Sequence, residues 1–200
     1  MVGFPDEAAA WAAALDGDAD GFAAVYDRHL DRTYRHALRL ATNRHDAEDL
    51  TAGAYLELWR RRQHVRVVDG SVLPWLLVTI TNLDRNRTRG LRRYRDLLAS
   101  LPRSEPTGTV DDDIADRQAA QATAGRLQRA LNHLNASEAA LVCLVAFEGY
   151  SPSQAAGVLG ISPATARTRL HRARRRLDSQ LAAGAATPAA ALLSLEDHPT

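Results

Sequence analysis

The sequence has no lysine: all 25 basic residues among its 200 are arginine. Cysteine is nearly absent too, with Cys143 alone, which excludes an internal disulfide and a cysteine-rich zinc module. The apolar neighbours of Cys143 make it a core residue in expectation. Aromatic residues are 6% of the chain, so Leu, Val and Ala must fill most of any core. Segments rich in β-branched residues are few, which argues against a sheet. No apolar run reaches the ~18 residues a membrane span needs. The acids Asp6 and Glu7 stand where a secretory signal would be basic, so a cytoplasmic location without membrane insertion is expected. No phosphate-binding glycine loop and no nucleophile elbow occurs. His45 lies close to Glu48 and Asp49 but has no further ligand at metal-site spacing. An enzyme is therefore not expected, and no catalytic residue, metal site or cofactor is assigned.

What is present is a 46% apolar composition, enough for a folded core, with charge laid down in blocks. Residues 16–60 carry six arginines against nine acids, and residues 61–98 carry nine against three. Residues 99–118 are again acidic, and residues 161–180 hold six arginines against Asp178. Two basic blocks separated by acidic stretches suggest two separate contacts with a polyanion. Arginine suits such contacts, because its planar fork binds phosphate through two bonds and stacks on bases.

Apolar spacing and helix-end signals predict an all-α protein of two small helical domains joined by a flexible acidic linker, the second a four-helix domain with a helix-turn-helix. Residues 1–17 are read as an extension. A first domain spans 18–98. Its first helix carries Phe22, Val25, Tyr26, Leu30, Ala37, Leu38 and Ala41 as a stripe. A second helix, capped by Asp46, follows the break at residues 43–45. A third runs from about 72 to 98, with Pro74 in its first turn and Leu73, Leu76, Leu77, Ile80 and Leu83 as its core face. Residues 99–118 hold prolines, a glycine and an acidic cluster but little apolar content, and read as a linker. A second domain spans 119–181, with Leu127, Leu131 and Leu134 on one helix and Ser137 capping the next. The Ala/Pro-rich residues 182–200 form a tail.

Residues 151–177, SPSQAAGVLGISPATARTRLHRARRRL, carry the sharpest local signal. Two Ser-Pro starts and two Gly stops, at 149 and 160, frame a short helix, a tight turn and a longer helix. That is the bihelical unit that places its second helix in the DNA major groove. Ala155 and Ala156 permit close crossing, and Ala166, Leu170, Ala173 and Leu177 form the buried stripe. The outer face carries Ser162, Thr165, Arg167, Thr168, Arg169, Arg172, Arg175 and Arg176. Its N-terminal residues are placed to reach base edges and its later arginines to reach phosphates. Without a partner, six arginines on one helix with a single acid would repel one another.

The stretch from Leu127 to Leu177 resembles region 4 of the extracytoplasmic-function group of bacterial RNA polymerase sigma factors. Two further motifs resemble region 2 of that group: DRHLDRTYRHALRLATNRHDAEDLTAGAYLELWR (27–60) and PWLLVTITNLDRNRTRG (74–90). The resemblance implies promoter-directed transcription initiation, with core RNA polymerase and promoter DNA as partners. It places the −35 duplex on the outer face of the last helix. It gives Asp46, Asp49, Leu50, Ala52, Gly53, Leu56 and Glu57 to the clamp helices of the polymerase's largest subunit. It gives the −10 strand to Asn82, Arg85, Asn86, Arg87, Arg89, Arg92 and Arg93, with the 61–73 loop holding a flipped base. An anti-sigma factor clamped between the domains is also compatible with the resemblance. The chain departs from the group's pattern at Ala52 and Gly53, where Gln and an acid are usual, and at Asn86, where Asp is common. Two alternatives stay open: a sigma-like decoy that binds polymerase without initiating, and a helix-turn-helix regulator acting on duplex alone.

Overall fold

The computed structural model describes Phe4 and residues 6–99, 130–131 and 133–183, without the side chains of 92, 95, 96, 98, 99 and 181–183. The expected linker beyond Ala99, the helix position of Leu127 and the tail from 184 lie outside these residues. Seven helices are described, and none is long and apolar enough to cross a membrane.

The first, α1 (Glu7–Leu15), lies in what the sequence reading treats as an extension. Asp6 caps it, accepting from the Ala9 N–H at 2.8 Å. Its alanine-rich surface buries Ala10, Trp11 and Ala14 against α2 (Ala19–Leu40). The two helices touch at Gly21: a Cβ there would lie 2.7 Å from the Ala10 carbonyl oxygen and 2.9 Å from the Ala14 nitrogen. The buried face of α2 is Gly21, Val25, His29, Thr33, His36, Ala37 and Leu40. Leu38, expected in that stripe, is exposed. The face is partly polar because its hydrogen bonds close internally. The Thr33 hydroxyl bonds to the His29 carbonyl, and His36 Nε2 lies 3.1 Å from the Thr81 hydroxyl.

Helix α3 (Arg44–Arg61) starts three residues earlier than expected. Asn43, not Asp46, is its cap, because the Asn43 side chain accepts from the Asp46 N–H at 2.8 Å. Asp46 occupies the third helical position and takes bonds from Thr42 and Asn43. A 3-10 turn, Arg62–His64, leads into a tight turn at Asp69-Gly70, both with positive φ, closed by a Val68–Ser71 bridge. Then α4 (Leu73–Ala99) begins, with Leu73, Leu76, Leu77 and Ile80 inward as expected, Leu83 half-buried, and Pro74 buried beside them. The Glu7 carboxylate accepts from the Val72 N–H at 2.7 Å and lies 2.9 Å from His29 Nε2, so α1 also fastens the start of α4.

The C-terminal group comprises α5 (Ala136–Val142), extended by a π-helical turn at Cys143–Phe147, α6 (Pro152–Leu159) and α7 (Pro163–Ala183). Sequence reading puts the α5 cap at Ser137, whereas the structure has a reciprocal capping box between Asn135 and Glu138. Burial pushes the Cys143 thiol up to about 12. Asn135→Ala should cost about 1 kcal/mol, read as a lowered urea midpoint with unchanged slope. The two helical groups pack against each other, with α5 and its π turn on α4 and with α6 beside the 65–72 segment.

Candidate nucleic-acid and polymerase interfaces

The helix-turn-helix is built by local chemistry. Ser151 and Gln154 form a capping box at the start of α6, with Pro152 in the first turn. Gly160 ends α6 at φ 63°, and the Ile161 N–H returns to the Ala156 carbonyl at 3.1 Å. The Ser162 hydroxyl then accepts from the Thr165 N–H at 3.1 Å and opens α7. Ala155 and Ala156 of α6 and Ala166, Leu170, Ala173 and Leu177 of α7 are buried, as the sequence pattern requires.

On the outer face of α7, Ser162, Arg167, Thr168, Arg172, Arg175 and Arg176 are exposed, and Thr165 is half-buried. Two of the arginines have a second task. Arg169 donates to the Ser137 hydroxyl at 2.6 Å, and Arg176 pairs with the buried Glu138 at 2.7 Å, so both tie α7 to α5. Arg167, Arg172 and Arg175 form no salt bridge among the described residues.

The basic half of α4 is less open than expected. Asn86, Arg89 and Arg93 are exposed, and Asn82 is half-buried with its Oδ1 enclosed and unbonded. Arg85, expected on the basic face, is 4% exposed and donates to the carbonyl oxygens of Leu131 and Leu134. Carbonyls at the end of a helical turn carry partial negative charge, which is why they hold a guanidinium. Arg87 bridges Asp46 and Asp84 and so ties α4 to α3. The Arg92 side chain lies outside the described residues.

On α3, Asp49, Ala52 and Leu56 are exposed, with Leu56 at 49%. Leu50, expected on the same face, is in the core, one residue further round the helix. Glu57 is half-buried and paired with Arg60 and Arg61. Asp46 is held by Thr42, Asn43 and Arg87, and the Thr42 bond, with the bond and charge of Arg87, overcomes burial and keeps its carboxyl below the usual range. Gly53 faces α4: a Cβ there would come 3.2 Å from Leu83 Cδ1, so its departure from the expected acid brings α3 close to α4.

Sequence reading missed a cluster at the junction of the two helical groups. Glu148, with a side chain 4% exposed, receives Arg32 Nε at 3.1 Å and Arg39 at 2.5 Å, and its Oε1 lies 3.0 Å from His36 Nδ1. Arg32 also donates to the Glu148 carbonyl at 3.0 Å and lies 5.6 Å over the Tyr150 ring. Burial alone would push the Glu148 carboxyl up; the His36 bond and the arginine charges outweigh it and hold it low. The one signal in the sequence is an acid directly after the apolar run 139–147.

Among the described residues the regular elements are helices, and a helix-turn-helix behind a second helical group is an arrangement suited to DNA-reading transcription proteins. Family models place it more narrowly: Sigma-70 region 2 matches residues 25–94 and Sigma-70 region 4 matches residues 124–177. The ECF RNA polymerase sigma factor SigM of Mycobacterium tuberculosis is 33% identical over 168 residues, 83% of this chain and 80% of that protein. SigE of Mycolicibacterium smegmatis is 35% identical over 156 residues, 78% of this chain but only 59% of its own length. The solved structure of CnrH in complex with the cytosolic domain of CnrY shares the fold, at TM-score 0.55 and 22% identity, covering 90% of this chain and 99% of that one. The chain belongs to the extracytoplasmic-function group of RNA polymerase sigma factors.

Proposed function

We propose that this chain binds core RNA polymerase through the exposed Asp49, Ala52 and Leu56 of α3 and directs it to a promoter. In this reading α7 reads the −35 duplex, and α4 with the 62–72 segment captures the −10 strand. The domain division 18–98 and 119–181 belongs to the same reading. The observation that carries it is the open arginine face of α7, presented by a helix-turn-helix whose buried side is fully packed. A cationic face left without acids is suited to phosphates. On α4, the exposed Arg89 and Arg93 supply an electropositive track for a single strand. Trp75 is packed against the core, so base stacking is not assigned to it. A protein partner belongs to the reading as well, since the similarly folded CnrH was solved in complex with the cytosolic domain of CnrY.

The test is run-off transcription with purified core polymerase and genomic fragments. Transcripts that start at defined promoters, and only with this chain present, are the expected result. Polymerase binding without transcripts selects a decoy, a reading to which the apolar Ala52 and Gly53 lend some weight. Duplex protection with no polymerase binding selects a stand-alone regulator.

A further inference from the structure

We infer that α1 is a brace for the strand-capturing 62–72 segment, with Glu7 and Gln63 as the positioning residues that hold its two roots. The inference deepens the function proposed above and rests on it for the identity of the strand. One helix holds both roots. At the C-terminal end of α1, the Leu15 carbonyl accepts from Gln63 Nε2 at 2.8 Å. At its N-terminal end, the Glu7 carboxylate accepts from the Val72 N–H at 2.7 Å and lies 2.9 Å from His29 Nε2. Burial would push the Glu7 carboxyl up; the His29 contact and the Val72 bond outweigh it and hold it low, so both oxygens remain acceptors at neutral pH. Along α1 the two anchors stand about 12 Å apart, at 1.5 Å of rise per residue. The stretch of chain from Gln63 to Val72 could reach about 30 Å if extended. The helix therefore sets a separation that the segment alone does not.

The brace is itself rigidly seated, since Ala10, Trp11 and Ala14 are buried against α2 and the two backbones meet at Gly21. Between the roots, Val68 and Ser71 bond to each other's carbonyls at 3.1 Å, and Asp69 and Gly70 make the turn with positive φ. Val65 and Val68 pack against the core, whereas His64, Arg66, Val67 and Asp69 are exposed. The tip has one further tie, Asp69 accepting from Gln154, between exposed side chains. The segment is thus fixed where it leaves α3 and where it enters α4, and open to solvent between. A loop ordered in advance does not lose that conformational freedom when a strand arrives, and the binding-competent fraction sets the apparent affinity. Glu7 acts through the backbone it holds, because a carboxylate repels phosphate and gains nothing by touching a strand.

The test is amide hydrogen exchange on the full chain without DNA, so that contact with a strand cannot contribute. In the parent, the Val68, Ser71 and Val72 amides should be protected. Glu7→Ala leaves the Val72 N–H without its acceptor and should speed exchange at all three at least about tenfold, while residues 166–177 of α7 stay unchanged. Glu7→Gln keeps an acceptor oxygen for Val72 and should stay within about threefold of the parent. Gln63→Ala trims an exposed side chain at the other root and should act as Glu7→Ala does; it serves if Glu7→Ala loses helix content by circular dichroism. Run-off transcription with core polymerase is then read beside fluorescence anisotropy on −35 duplex. Glu7→Ala should lower transcript yield about tenfold and duplex affinity by less than about twofold, a split that general destabilisation would not produce. Glu7→Gln should restore the yield. Unchanged exchange in the folded variants overturns the brace, as do losses of equal size on duplex and transcript. Exchange that responds while no chain, the parent included, yields transcripts keeps the brace and removes the sigma function. Transcripts from Glu7→Ala at the parent's level, with exchange raised, keep the function and remove the positioning role.

Discussion

Replacing Arg172 and Arg175 with alanine is expected to weaken −35 duplex binding about 30-fold at 0.15 M salt and to reduce the slope of log affinity against log salt by about 1.8 units, at roughly 0.9 per phosphate contact. The two side chains are exposed on the outer face of α7, away from the buried stripe of Ala166, Leu170, Ala173 and Leu177. Their loss removes charge without opening a cavity, so thermal stability should stay within about 0.5 kcal/mol of the parent. Fluorescence anisotropy on labelled duplex across a salt series measures both quantities. An unchanged slope with folded protein would take both arginines out of the DNA contact. Arg176→Ala provides the contrast. It leaves the buried Glu138 without its 2.7 Å partner, so it should lower stability as well as affinity.

Gly21→Val should cost about 3 kcal/mol, the upper end of what overpacking usually imposes. The new Cβ would meet the Ala10 carbonyl, the Ala13 methyl and the Ala14 nitrogen, all within 2.9 Å. Two of these are backbone, which cannot rotate away, so α1 must lift from α2 as a unit. Trp11 and the Glu7 contacts to Val72 and His29 go with it. The expected signature is a red-shifted tryptophan emission and fast amide exchange confined first to residues 7–15. Emission and exchange like those of the parent would show that α1 has another way to seat.

How much of this could be read in advance divides along physical lines. The starts and stops of α6 and α7 were legible because a cap, a left-handed glycine and a first-turn proline act within four residues of where they stand. The inward face of α4 was legible for a similar reason, since a leucine-rich period needs only one apolar neighbour, whichever it is. Helix α1 was not, because an alanine-rich stretch such as EAAAWAAAL shows little contrast between its faces. Leu38 was misplaced by the same periodicity that succeeded elsewhere: the face that turned inward on α2 carries His29, Thr33 and His36, whose burial depends on partners elsewhere in the fold.

The sequence by itself determined the helices other than α1, the helix-turn-helix and the arginine surface of α7, because each follows from propensity, end chemistry and spacing over a few residues. Only the tertiary structure decided that Arg85 is enclosed, that Gly53 lies beneath Leu83 and that Glu148 joins α2 to the C-terminal group. Those outcomes depend on groups far apart in the chain, as Arg32 and Glu148 are at 116 residues, and local pattern carries no information about which charge will meet which.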